Sequence, residues 1–111
     1  MSFFQSDVVR AEMAEIHELQ EEVYSNVFKF PTMKREDQKY HVDILERLLE
    51  KQKVMYARLS LSDDPEAQEM KKRIVESASM MGLPSSLDMT SLFNNMSQAV
   101  EMMKQQIDKD L

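Results

Sequence analysis

The residues best suited to acid–base or metal chemistry in this sequence are its two histidines, His17 and His41. In helical bundles that hold two iron ions, each ligand histidine follows a glutamate by three positions. Here that position is Ala14 before His17 and Gln38 before His41, so the pattern is missing. We therefore expect no metal centre, an exposed His17 among glutamates, and a structural, half-buried His41.

Four acids lie close together at 63–69 and suggest a cation site, but their pattern does not support one. A calcium loop needs alternating ligands and a central glycine. Asp64 before Pro65 instead matches the start of a helix, where acids favour the helix dipole. One glycine and no cysteine also exclude a glycine-rich phosphate loop and a thiol nucleophile. The sequence predicts no catalytic, cofactor-binding or metal-binding residue, and so no enzymatic activity.

Length and charge narrow the function classes further. The 111 residues predict one domain over 1–111. Fourteen basic and 20 acidic residues give a net charge of −6, which argues against direct nucleic-acid binding, because such binding needs a cationic surface. The first residues lack the basic region of a signal peptide, and no apolar run approaches the about 20 residues that span a bilayer. We expect a cytoplasmic protein.

Cap and stop residues divide the chain into four helices, two long and two shorter, so we predict an all-α fold in a compact helical bundle or hairpin arrangement. The first helix should begin at Ser2 or Ser6 and end at 28–31, with both phenylalanines of that segment pinning the connection to the core. Thr32 is the expected cap of a second helix that ends near Ser60. The first helix is acidic and the second carries more bases than acids. Either their charges complement each other as antiparallel neighbours, or both are solvated faces that keep the protein soluble.

The boundaries of the last two helices follow from similar signals. Asp64 and Pro65 should start the third helix. Gly82 and Pro84 should end it, because glycine accepts the left-handed cap conformation and proline prevents the helix from continuing. Asp88 is the expected cap of the fourth helix.

The fourth helix carries one apolar stripe with the alternating four- and three-residue spacing of a coiled-coil seam. A partner helix, in this chain or another, must cover that stripe. Methionines at alternate positions either fill gaps in a small core or form an adaptable docking surface. We call these residues the C-terminal seam: Met89, Phe93, Met96, Val100, Met103 and Ile107.

Large apolar residues at both ends of the chain are the candidate partner-binding groups. Two phenylalanines near the start either staple the first helix or reach a partner, and the C-terminal seam supplies the others. The predicted partner-binding residues are Phe3, Phe4, Phe93, Met96, Val100, Met103, Ile107 and Leu111.

Three features together resemble a small family of cyanobacterial and cyanophage proteins: the opening segment 3–9, the junction Arg58–Asp64 and the methionine-rich amphipathic tail. The resemblance covers essentially the whole chain. In cyanobacteria the family is a domain of unknown function. In the T-even-like phages of marine cyanobacteria, it is represented by transcription accessory proteins for late promoters.

The resemblance implies a coactivator that binds the flap of the host RNA polymerase β subunit and works with a phage sigma-like factor. A C-terminal acidic and apolar tail would couple the polymerase to the sliding clamp. The T-even tail ends in a compact run of large apolar residues, whereas here only Ile107 and Leu111 are apolar in 106–111. Polymerase binding is therefore the stronger expectation. The alternative is a structural or adaptor homo-oligomer whose C-terminal seam pairs with itself.

Overall fold

The computed structural model describes residues 3–80 and 89–109, apart from the side chains of Ala78 and Ser79. This part of the chain contains helices and no strand, so the predicted all-α fold with four helices is confirmed. Two short 3₁₀ segments accompany them: an N-terminal turn, Phe3–Gln5, and a connection, Val27–Thr32. The α-helices are α1, Asp7–Asn26; α2, Arg35–Leu61; α3, Pro65–Met80; and α4, Met89–Lys109.

The first helix starts at the second of the two predicted positions. The Ser6 side chain caps α1 by accepting a hydrogen bond from the Val9 amide at 3.5 Å. Asp7 adds a carboxylate in the first turn, where it favours the exposed amides of the helix. The predicted break at 28–32 is confirmed, since α1 ends at Asn26 and the 3₁₀ connection contains Pro31.

The predicted cap of the second helix is wrong. α2 begins at Arg35, with Lys34 in the cap position and no side-chain bond to the first turn. The Thr32 hydroxyl instead donates to the Lys29 carbonyl oxygen at 2.9 Å and so closes the 3₁₀ connection. The hydroxyl is used inside the connection, which delays the start of the helix.

Only one of the two phenylalanines in the connection packs against the core in the way that we expected. The Phe30 ring lies 5.4 Å from the His41 ring and packs against the core, and its carbonyl accepts a hydrogen bond from Gln38 at 2.9 Å. Phe28 is 93% exposed, so the prediction that it pins the connection is wrong. The two positions lie on opposite sides of a tight turn, which can direct only one ring inward.

The start of α3 follows the sequence prediction. Asp64 caps it, with the Glu66 amide donating to Asp64 Oδ1 at 2.9 Å. The Phe3 amide donates to the other oxygen of the same carboxylate. Asp64 therefore starts α3 and holds the N-terminal turn against it. The predicted roles of Gly82, Pro84 and Asp88 lie outside the described residues.

α2 is the central helix. α1 packs along one side of it and α4 along another, while α3 folds back over its C-terminal end. The Cα atoms extend over 51 × 33 × 19 Å, so the assembly is a thin slab. Two side chains of α2, Val42 and Leu59, are fully buried. Any surface that α1 or α4 offers a partner is therefore positioned by α2.

The charges of α1 and α2 complement each other, which is one of the two interpretations that their composition allowed. Glu12 lies 3.2 Å from Arg58, and Glu15 pairs with Lys51. Residue numbers rise along α1 as they fall along α2, so the two helices are antiparallel. The hydrogen bond from Lys51 lowers the pKa of Glu15 below its ordinary value. These pairs lie at the surface and contribute more to the register of the two helices than to stability.

Candidate protein-binding surfaces

The C-terminal seam is covered by α2 of the same chain. Phe93, Val100 and Ile107 are buried, and they form one core cluster with Val42 and Leu49 of α2. The residues of both helices recur at intervals of seven, so equivalent positions meet at every second turn. The partner helix that the spacing requires is thus found inside the molecule.

Contacts at the two ends of this interface show that α2 and α4 are antiparallel. The rings of Tyr56 and Phe93 lie 5.9 Å apart at one end. At the other end, Lys39 Nζ lies 3.1 Å from a carboxylate oxygen of Asp108. Between them Lys104 donates a hydrogen bond to the Glu46 carboxylate, and this bond raises the pKa of Lys104. Polar pairs therefore border the apolar seam on one side.

The remaining predicted binding residues differ in accessibility. Met103 is half-buried against the α2–α4 core, whereas Met96 is 41% exposed. Phe3 and Phe4 are half-buried, stack edge to face at 5.1 Å and pack on the core beneath α3. They staple the N-terminus, one of the two roles that the sequence allowed. Leu111 lies outside the described residues. Their binding to a partner stays a prediction.

A surface that the sequence analysis missed lies where α1 ends. Three large apolar side chains stand exposed there: Tyr24 at 69%, Val27 at 43% and Phe28 at 93%. We call these three residues the aromatic corner. Tyr24 lies in the last turn of α1, and Val27 and Phe28 follow three and four positions later at the start of the 3₁₀ connection. The spacing of these three residues is visible in the sequence, but it predicts a stripe that faces the core equally well as a surface that is exposed.

A cleft of about 320 Å³ lies beside the aromatic corner, between the end of α1, the 3₁₀ connection and the start of α2. We call it the α1–α2 cleft. Its polar and apolar groups come from all three elements, and none of them was predicted as a site residue. The lining residues are Glu22, Asn26, Lys29, Met33, Asp37, Tyr40, His41 and Ile44.

His41 is the most buried polar group of the cleft. It is 5% exposed, against an expected half-buried position, and burial lowers the pKa of its imidazole, an effect that the Glu22 carboxylate partly offsets. Glu22 also accepts a hydrogen bond from Tyr40, which raises the pKa of that phenol. His17 is exposed as expected, with its Nε2 3.1 Å from Glu21. The two histidines therefore lie in separate environments.

The lowered pKa of His41 predicts a pH-dependent stability. The folded protein favours the neutral imidazole, so as the pH falls through the ordinary value of 6.5 the unfolded chain gains a proton that the folded chain resists. The free energy of unfolding should fall over this range and level off below the pKa of the folded state. Urea unfolding at about pH 8 and about pH 5 should show a smaller loss for His41→Gln than for the wild type. His17→Gln is the control, and an equal loss in all three proteins would contradict the prediction.

The described residues hold no group of three or more histidine, cysteine, aspartate or glutamate side chains placed to bind a metal ion. None of the helices in that same part of the chain is both long and apolar enough to cross a membrane. The arrangement offers apolar surface and a polar cleft side by side. Such a surface is suited to binding another protein.

Comparison with known proteins places the chain in a family. The model of the family described as "Domain of unknown function (DUF1825)" matches residues 1–107, so the chain belongs to this family. No curated protein and no solved structure matches it.

Proposed function

We propose that this member of the DUF1825 family is a non-enzymatic transcription accessory protein that binds RNA polymerase at the flap of its β subunit. In this proposal it acts as a coactivator of late transcription with a phage sigma-like factor. A link to a sliding clamp through the last residues of the chain belongs to the same proposal. The resemblance of the opening segment, the 58–64 junction and the methionine-rich tail to cyanophage accessory proteins supports it.

The aromatic corner is the observation that carries the proposal. A phenylalanine with 93% of its surface in water contributes almost no packing to the fold, yet it supplies the large apolar area on which protein interfaces depend. Binding energy at interfaces is concentrated in a few anchors that fill pockets, and aromatic side chains are enriched among them. Phe28, with Tyr24 and Val27 around it, has the size and exposure of such an anchor.

The charge distribution supports a protein partner over DNA. The chain has a net charge of −6, and several of its bases are already engaged by carboxylates of the same chain. Arg58 pairs with Glu12, and Lys104 pairs with Glu46. An acidic surface whose bases are partly neutralised by neighbouring carboxylates gains little from releasing the counterions of a phosphate backbone. The polymerase and the sigma-like factor would therefore hold the DNA.

The binding surface in this proposal differs from the one that the sequence favoured. Phe93, Val100 and Ile107 could reach a partner only if α4 separated from α2, because their side chains fill the core between these helices. The same packing of α4 on α2 argues against the alternative function, a homo-oligomer that pairs through the C-terminal seam. Self-pairing would have to displace α2, so the polymerase-binding function is preferred.

Size-exclusion chromatography of the purified protein with cyanobacterial RNA polymerase, in the absence of DNA, tests the proposal. We expect co-elution at micromolar concentration, and we expect it to persist at moderate salt, because the anchors are apolar. Polymerase that lacks the β flap is the matched control and should not retain the protein. Co-elution with the flapless enzyme would refute the flap as the site. Absence of co-elution, together with a self-associated peak, would favour the homo-oligomer.

A further inference from the structure

The α1–α2 cleft contains a buried imidazole that lies near a carboxylate but has no hydrogen-bond partner among the described residues. The side chain of His41 lines the cleft, is 5% exposed, and makes no hydrogen bond to the other described residues. Its neighbours are the Phe30 ring and the walls of the cleft. Buried polar groups are nearly always hydrogen-bonded, so a partner that covers the cleft should offer this imidazole a donor or an acceptor.

The charges of the cleft select the kind of occupant. Glu22 and Asp37 supply two carboxylates, and Lys29 is the one base among the lining residues. The Glu22 carboxylate raises the pKa of the Tyr40 phenol, so these two groups interact within the cleft. A neutral imidazole adds a nitrogen that can accept a hydrogen bond. An anion would meet two carboxylates, whereas a cation would meet acceptors on both sides of the cleft.

The apolar residues that line the cleft indicate which kind of cation would fit it. Met33 and Ile44 line the same cleft and offer apolar surface beside the carboxylates. A lysine or arginine side chain matches this combination, because its hydrocarbon stem packs on apolar surface while its charged end seeks polar partners. Its charged end would form charge-assisted hydrogen bonds, which are the stronger class of such bonds.

We propose that the α1–α2 cleft receives an arginine or lysine side chain of the protein partner whose apolar surface covers the aromatic corner. The two sites are adjacent in the chain, since Asn26 and Lys29 of the cleft directly flank Val27 and Phe28 of the corner. This inference rests on the proposed function, because that function supplies the partner. A partner with a net positive surface fits better than a second copy of this acidic chain.

The cleft is tested without any partner protein, by titrating the isotope-labelled full chain with N-acetyl-arginine amide and following amide resonances by NMR. We expect saturable, millimolar binding, with shifts confined to residues around the cleft. N-acetyl-citrulline amide, which has the same shape and no charge, should produce no saturable shift. Equal shifts with both compounds, or arginine shifts spread along the acidic face of α1, would overturn the proposal.

A pair of variants separates the cleft from general charge attraction. Asp37→Asn removes a cleft carboxylate from the exposed first turn of α2. It should weaken binding of the arginine derivative about two- to fivefold, as expected for the loss of one exposed ion pair. Glu36→Gln removes the same charge from the adjacent position, which does not line the cleft, and should bind as the wild type does. Equal weakening by both variants would show that only net charge matters.

The imidazole provides a second readout. A cation held in the cleft should lower the pKa of His41 below its value in the free protein, because protonation would then place two positive charges together. The charged and titratable groups that line the cleft with it are Glu22, Lys29, Asp37 and Tyr40. An unchanged His41 titration at saturating arginine derivative would place the ligand elsewhere.

The two proposals can fail separately. If the arginine derivative binds the cleft and polymerase does not co-elute, the cleft stands and the polymerase proposal falls. If polymerase co-elutes and the arginine derivative leaves the cleft resonances unmoved, the cleft proposal falls and the polymerase proposal stands.

Discussion

Val100→Asp should remove most of the stability of the fold, with an expected loss of about 3–5 kcal/mol in the free energy of unfolding. Val100 is 9% exposed and lies in the α2–α4 core with Leu49 and Val42. A carboxylate there would lose its hydration without gaining a partner, or would have to bind a proton to become neutral. Urea unfolding followed by circular dichroism measures the loss.

The adjacent position supplies the control. Ala99 is exposed on the same helix, so Ala99→Asp introduces the same charge one residue away without placing it in the core. Its expected cost is about 0.7 kcal/mol, the difference in helix propensity between alanine and aspartate. Two results would show that α4 does not pack on α2 through this face. One is that Val100→Asp unfolds at the same urea concentration as the wild type, and the other is that both variants are equally destabilised.

The sequence predicted the apolar stripe of α4, but it could not identify what covers the stripe. Coiled-coil spacing predicts a partner helix, but it does not distinguish α2 of the same chain from a helix of a second chain. Nor does the spacing tell that Phe93 and Val100 are buried while Met96 is 41% exposed. That difference depends on how α4 is rotated against α2, which is set by tertiary packing.

Phe28 is a residue for which the sequence prediction was wrong: it was expected to pack on the core, and it is exposed. Two phenylalanines beside a proline predict a connection pinned to the core, and Phe30 fulfils that prediction. The tight 3₁₀ turn directs the other ring outward, and hydrophobicity alone cannot assign the two roles. The α1–α2 cleft was unpredictable because its groups are up to 22 positions apart and meet only when α1 and α2 pack antiparallel.

The second large effect is expected on binding rather than on folding. Phe28→Ser should weaken the complex with RNA polymerase by about 30-fold or more, the loss typical of an aromatic anchor at the centre of an interface. The same variant should unfold at the same urea concentration as the wild type, because a side chain that is 93% exposed has almost no packing to lose. Binding measured by surface plasmon resonance, with unfolding measured in parallel, separates these two quantities.

Leu61→Ser is the matched control for Phe28→Ser, because Leu61 is a large apolar side chain, 86% exposed, at the far end of α2. If interfaces gained affinity from any exposed apolar area, the two variants would weaken polymerase binding to a similar extent. If the aromatic corner is the anchor, only Phe28→Ser should do so, and mainly by speeding dissociation, since losing one apolar contact leaves the rate of encounter almost unchanged. Wild-type affinity in Phe28→Ser would remove the aromatic corner from the interface.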